Sequence, residues 1–168
     1  MKVFITKIEK IIKSREELIS KLSLKDKMRF NQITSHKRQA EFLAGRWLIF
    51  ECFGGDFKVL EGGKIVSESA YLSLSHSADF AALSICQSPV GLDMEYMSPA
   101  RNIKKIASRM GFGDCSFTEW YQKWTAREAD FKLGIKDAAS YHTFKVYQNY
   151  MICLSSVEQQ TIELTDMS

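Results

Sequence analysis

A chain of 168 residues, 45% apolar, 26% charged and with a formal charge of +3, has the makeup of one globular domain able to bury a real core. The charge excess is too small to support nucleic-acid binding by itself, and no run approaches the ~20 apolar residues of a membrane span. Cys52, Cys86, Cys115 and Cys153 are too far apart for a metal knuckle and read as reduced thiols of a cytoplasmic protein; the opening MKVFITKIEKII, broken by charges, predicts no secretory signal.

Val3 to Ile8 alternates weakly and reads as an edge strand. Residues 14–33 are charged and helix-permissive. A clear helix follows, capped by Thr34 or Ser35 and ended by Gly54-Gly55, with Ala40, Leu43, Ala44, Trp47 and Leu48 on one face. Gly62-Gly63 marks a turn. Tyr71–Ser75, Phe80–Cys86 and Val90–Met94 read as three strands, the last two joined by Gln87-Ser88-Pro89. Asn102–Met110 is a short helix broken by Gly111-Phe112-Gly113. Ser116 and Glu119 form a capping box that opens a second long helix, which reaches about Leu133 and stops at Gly134. The tail alternates from about Tyr141, turns at Gln148-Asn149 and predicts a hairpin plus a final short strand. Helices and strands mix without βαβ alternation, so the fold class is α+β, in a single domain of residues 1–168 with approximate halves 1–97 and 98–168.

Four clusters could carry chemistry. In Val90-Gly91-Leu92-Asp93-Met94-Glu95, residues two apart share a strand face, so Asp93 and Glu95 sit side by side. Paired carboxylates repel unless a cation lies between them, and magnesium prefers such oxygen ligands; taken alone the pair also fits a solvated strand edge. In the second long helix, Phe117, Trp120, Tyr121, Trp124 and Phe131 form an apolar stripe along which Glu128 and Lys132 lie at four-residue spacing. A carboxylate there needs a partner, either Lys132 or a metal. Ser73-Leu74-Ser75-His76-Ser77 can bind phosphate through hydroxyls and amides, or be an ordinary strand end. Lys37, Arg38, Arg46 and Lys64 fit either a solvated face or a phosphate clamp.

Together and in order, these blocks resemble the 4′-phosphopantetheinyl transferase superfamily, and within it the surfactin-synthetase-activating, pseudodimeric type. Glu41-Phe42-Leu43-Ala44-Gly45-Arg46 is similar to the family's arginine-bearing helix, and Gly63-Lys64 to its Gly-Lys-Pro turn, with Ile65 in place of proline. Leu74-Ser75-His76-Ser77 is followed by Val90-Gly91-Leu92-Asp93-Met94-Glu95. Trp124-Thr125-Ala126-Arg127-Glu128-Ala129-Asp130-Phe131-Lys132 resembles Trp-Ser-x-Lys-Glu-Ala-x-x-Lys, with Arg127 in place of the lysine.

The resemblance implies two pseudo-symmetric halves, each with a long helix packed on a small antiparallel sheet. It implies transfer of the phosphopantetheine arm of coenzyme A to a serine of an apo acyl or peptidyl carrier protein by a monomer. Asp93, Glu95 and Glu128 would hold Mg2+. Glu128 would also be the base for the carrier serine, directly or through water, and Lys132 would neutralise phosphate oxygens. Ser75 and His76 would contact the coenzyme A phosphates, and Arg46 and Lys64 its 3′-phosphate and adenine end. The alternative is a coenzyme A- or carrier-binding homologue with little turnover; the balanced charge weighs against a nucleic-acid module built on Lys37, Arg38 and Arg46.

Overall fold

The computed structural model describes residues 1–54, 56–60, 65–134 and 138–168. The elements run β1 (Lys2–Lys7), α1 (Ile8–Ile12), α2 (Arg15–Lys21), α3 (Leu24–Gln32), α4 (His36–Cys52), β2 (Lys58–Val59), β3 (Ile65–Val66), β4 (Tyr71–Ser77), β5 (Phe80–Cys86), β6 (Val90–Tyr96), α5 (Ile103–Met110), α6 (Phe117–Leu133), β7 (Ser140–Val146), β8 (Tyr150–Ser156) and β9 (Glu163–Asp166). One sheet has the order β4-β5-β1-β9, a second β6-β8-β7, and β2 and β3 form a small hairpin-like pair. The fold is α+β with small, largely antiparallel sheets; β1 and β9 are a parallel pair.

The long helices begin and end where local chemistry sets them. Ser35 accepts the Arg38 N–H at the start of α4, and Gly54 beyond its end takes φ +65°, a left-handed conformation that suits glycine. Gly55, the other half of that stop signal, lies outside the described residues, as do Gly62, Gly63 and Lys64 of the expected turn. Ser116 and Glu119 complete a reciprocal capping box at α6, and Gly134 closes that helix at φ +80°.

Four layers result. Helix α4 covers one face of the first sheet, burying Leu43, Ala44, Leu48 and Ile49 against Leu72, Ala81 and Leu83. Helix α6 covers the outer face of the second sheet, where Trp120 and Tyr121 pack with Met151. The remaining faces meet in a shared core of Val3, Ile5, Ala82, Leu92, Met94, Ile152 and Leu154. Side chains alternate on each strand, so β4 sends Leu72 and Leu74 toward α4 and its serines the other way.

Three expectations need correction. Strand β1 is interior, paired on one side with β5 and on the other with β9; the alternation is weak because both of its faces are covered. The α6 stripe is Trp120, Tyr121, Thr125, Ala129 and Leu133, while Phe131 is 81% exposed and Phe117 is also exposed. The helix rests on β6 at Gly91, so small residues face the sheet and the bulky one points out. The two sheets also do not divide at residue 97: β6 belongs to the second sheet and β9, from the C-terminal end, to the first.

Candidate functional site

The site grows from the way β6 is held. One edge of β6 pairs with β8; its other edge lies against β4 and would leave N–H groups unpaired. Serines on β4 take them. The Leu92 N–H donates to Ser73 Oγ at 2.9 Å, the Met94 N–H to Ser75 Oγ at 3.1 Å and the Tyr96 N–H to Ser77 Oγ at 2.9 Å. The constant offset means β4 and β6 run in the same direction, laced by hydroxyls where a backbone ladder would otherwise form.

Asp93 and Glu95 stand on this seam, beneath α6. Asp93 is buried. Its Oδ1 accepts from Ser75 Oγ at 3.0 Å and from Lys132 Nζ at 2.8 Å, and Lys132 also donates to the Leu92 carbonyl at 2.9 Å. Glu95 Oε2 accepts from Ser77 Oγ at 3.1 Å and Oε1 from Trp124 Nε1 at 3.2 Å, with Arg101 Nη2 3.8 Å from Oε2. Glu128 lies one turn beyond Trp124 and one turn before Lys132, on the part-buried flank of α6. Burial pushes its carboxyl above the usual carboxylate range, and the Asp93 charge adds to this; Lys132 and Arg127 oppose it, and Glu95 raises it further. The helix acid thus feels both strand acids.

Gly91 lets α6 approach closely enough for this. A Cβ built there would stand 1.9 Å from the Ala129 carbonyl oxygen and 2.8 Å from the Leu133 nitrogen. Sheet and helix backbones touch at this point, which brings the next flank of α6 over Asp93 and Glu95.

Magnesium needs hard oxygen ligands, and the acids supply them. Asp93 Oδ2 is buried with no hydrogen-bond partner among the described residues, while Lys132 is bonded to Asp93 and Arg101 lies 3.8 Å from Glu95. Asp93, Glu95 and Glu128 are the acids that a divalent cation would have to draw together. As the side chains stand, no three acids, histidines or cysteines form a set that could hold an ion among the described residues. Lys132 occupies Asp93 Oδ1, and Ser77 and Trp124 hold both oxygens of Glu95, so loading an ion requires these contacts to loosen.

The expected coenzyme A contacts divide. His76 is half-exposed on the α4 side of β4, the face opposite its serines, with Nδ1 3.5 Å from Glu41 Oε2, so the structure does not bring it to the acids. Ser75 is buried and committed to Asp93 and to the seam, so its hydroxyl is an acid partner. Arg46 is buried too: its Nε and Nη2 donate to Asp26 at 3.0 and 2.9 Å, and its guanidinium lies 4.5 Å over the Phe42 ring. The structure places it in a lock between α3 and α4 and does not bring it to the acids, because a paired, buried guanidinium has no free fork for a phosphate. Lys64 lies outside the described residues.

Sequence reasoning offered Ser73 and Ser77 as phosphate binders, not as partners of β6 and its acids, read Trp124 as part of an apolar stripe, and passed over Arg101. The signal for the serines was present as hydroxyls at every second position of a strand, which must line one face. The donor role of Trp124 was hidden by reading the indole only as apolar.

No protein-family model matches the chain, and no curated protein matches it. No helix among the described residues is long and apolar enough to cross a membrane.

Proposed function

We propose that this chain is a magnesium-dependent 4′-phosphopantetheinyl transferase of the pseudodimeric type, acting as a monomer on coenzyme A and an apo acyl or peptidyl carrier protein. The observation that carries the reading is the placing of Asp93 and Glu95 on β6 under helix α6, which bonds Lys132 to Asp93 and Trp124 to Glu95 and carries Glu128 on its part-buried flank between those two residues. The order of the sequence blocks adds to it.

In this reading the carrier serine oxygen attacks the phosphorus that bears the pantetheine arm. The bond to the adenosine-side phosphate breaks, and adenosine 3′,5′-bisphosphate leaves. Phosphoryl transfer of this kind asks for positioning and charge stabilisation more than for a protein nucleophile, and no activated serine is required of this chain. A divalent cation at Asp93, Glu95 and Glu128 would stabilise negative charge on the diphosphate. Glu128 would also accept the serine proton, directly or through water. Lys132 supplies a cation to the phosphate oxygens once it releases Asp93.

A second reading, a coenzyme A- or carrier-binding homologue with little turnover, draws on one observation: Lys132 already neutralises Asp93, and no ready three-ligand set exists among the described residues. The two readings separate in one assay. Incubation with coenzyme A, magnesium and an apo-carrier releases adenosine 3′,5′-bisphosphate if the transferase reading holds, and the release stops when magnesium or carrier is withheld. Coenzyme A binding without release on any carrier favours the second.

A further inference from the structure

We infer that Arg101 is a ligand-binding residue beside the strand acids, and that its guanidinium takes the oxygens of a diphosphate. The inference rests on the transferase reading only in taking coenzyme A as the source of that diphosphate.

The chain fixes the backbone of Arg101 before any ligand arrives. Strand β6 ends at Tyr96, and residues 97–102 lead from it to α5. This segment is pinned at several points. The Met97 N–H donates to the Asn149 carbonyl at 2.7 Å and the Ser98 N–H to Tyr121 Oη at 2.8 Å, while the Arg101 N–H returns to the Ser98 carbonyl at 3.3 Å. Asn102 then caps α5 by accepting the Lys105 N–H.

The side chain lies on an aromatic floor with its donors unspent. The guanidinium carbon is 5.5 Å from the centroid of the Trp120 ring and 5.6 Å from that of Tyr121, and both residues are buried. Such rings attract a cation and restrict it, so less entropy is lost when it binds. The side chain is 34% exposed, and its guanidinium makes no hydrogen bond among the described residues. Its ion-pair partner is Glu95, with Nη2 3.8 Å from Oε2, which is beyond hydrogen-bond distance. The Glu95 oxygens already accept from Ser77 and Trp124. The carboxylate therefore draws the cation to the acids without consuming its fork. A partly exposed planar fork matches paired phosphate oxygens.

The charges around β6 assign this fork a task. Asp93 and Glu95 by themselves repel an anion, so a diphosphate beside them needs cations. Lys132 stands at the Asp93 end of the pair and Arg101 at the Glu95 end. Arg46, by contrast, has both Nε and Nη2 committed to Asp26. The guanidinium with donors to spare is the one on the segment after β6.

The experiment measures binding of coenzyme A and of dephospho-coenzyme A, which lacks the 3′-phosphate and keeps the diphosphate. Isothermal titration calorimetry is run without carrier on the full-length wild type, Arg101→Gln, Arg101→Lys and Lys104→Gln, with thermal melts to check folding. Lys104 is exposed on α5, so Lys104→Gln removes the same charge nearby without touching the acids. Loss of a charged hydrogen-bonding group predicts that Arg101→Gln binds both ligands about 10–100-fold more weakly, with Lys104→Gln within about twofold of wild type. If Arg101→Gln does not fold, Arg101→Lys decides: a loss of about threefold or more for dephospho-coenzyme A supports the fork, and unchanged affinity overturns it. Unchanged binding in a folded Arg101→Gln overturns the inference and leaves the transferase reading standing. A loss confined to coenzyme A assigns Arg101 to the 3′-phosphate, and an equal loss in Lys104→Gln reduces the effect to overall charge; either overturns the inference. A wild-type protein that binds neither ligand overturns both readings. The expected losses in a protein that modifies no carrier support the diphosphate contact and sink the transferase.

Discussion

Burial and the neighbouring Asp93 carboxylate both raise the Glu128 carboxyl, which sets a sign for stability. A carboxyl with a folded-state pKa above its unfolded value of about 4.3 binds its proton more tightly in the folded protein. Its stabilising contribution is complete below the unfolded value and is lost as pH rises through the raised one. In metal-free protein, Glu128→Gln should therefore melt at or above the wild-type temperature near neutral pH and show a flatter pH dependence, while transfer falls by roughly 10²–10⁴. A lower melting temperature with unchanged transfer would make Glu128 a structural ion-pair residue. Arg46 runs the other way. Its fork on Asp26 is buried on both sides, and Arg46→Met strands a carboxylate, which should cost about 3–5 kcal/mol in urea unfolding. A loss of coenzyme A affinity with stability intact would instead show the guanidinium serving a ligand.

At the scale of elements, α6 and β6 act as one unit because Gly91 lets them touch. Gly91→Ala would drive a methyl into the Ala129 carbonyl and the Leu133 nitrogen. Neither can give way without moving the helix, so a loss of about 3 kcal/mol or more is expected in chemical denaturation. Transfer should fall further than stability alone explains, because the shift carries Glu128 and Trp124 away from β6. Retained activity in a stably folded Gly91→Ala would show that the close approach is dispensable. This contact also explains a misreading of α6. The sequence offers Phe131 as part of an apolar stripe, whereas the contact surface uses Thr125 and Ala129. Periodicity ranks faces by hydrophobicity, and a helix pressed against a glycine needs small residues there instead. The ends of α4, α5 and α6 were legible because caps are local: Ser35, Asn102 and Ser116 each accept an N–H three residues on.

For the whole molecule, what was hidden in the sequence is non-local. The hydrophobic pattern shows that β1, β4, β5 and β6 exist, but not that β1 lies between β5 from the middle of the chain and β9 from its far end. Nor does it show that β6 leaves β5 to pair with β8. Partner choice depends on how layers stack, and no short-range period encodes it. The acids were legible as residues; the partners of Asp93 and Glu95 come from the seam between the sheets and from α6. Arg46 shows the reverse case, a basic residue that reads as a ligand contact until a distant aspartate is found against it. The account as a whole stands on transfer to a protein acceptor. Its most direct test is the intact mass of a panel of apo-carriers, from fatty-acid, polyketide, peptide and lysine-biosynthetic systems, after incubation with the protein, coenzyme A and magnesium. The account predicts that at least one carrier gains one phosphopantetheine arm on its serine, and that neither magnesium-free samples nor Glu128→Gln yield it. Unmodified carriers across the whole panel, with a folded protein that binds coenzyme A, would contradict it.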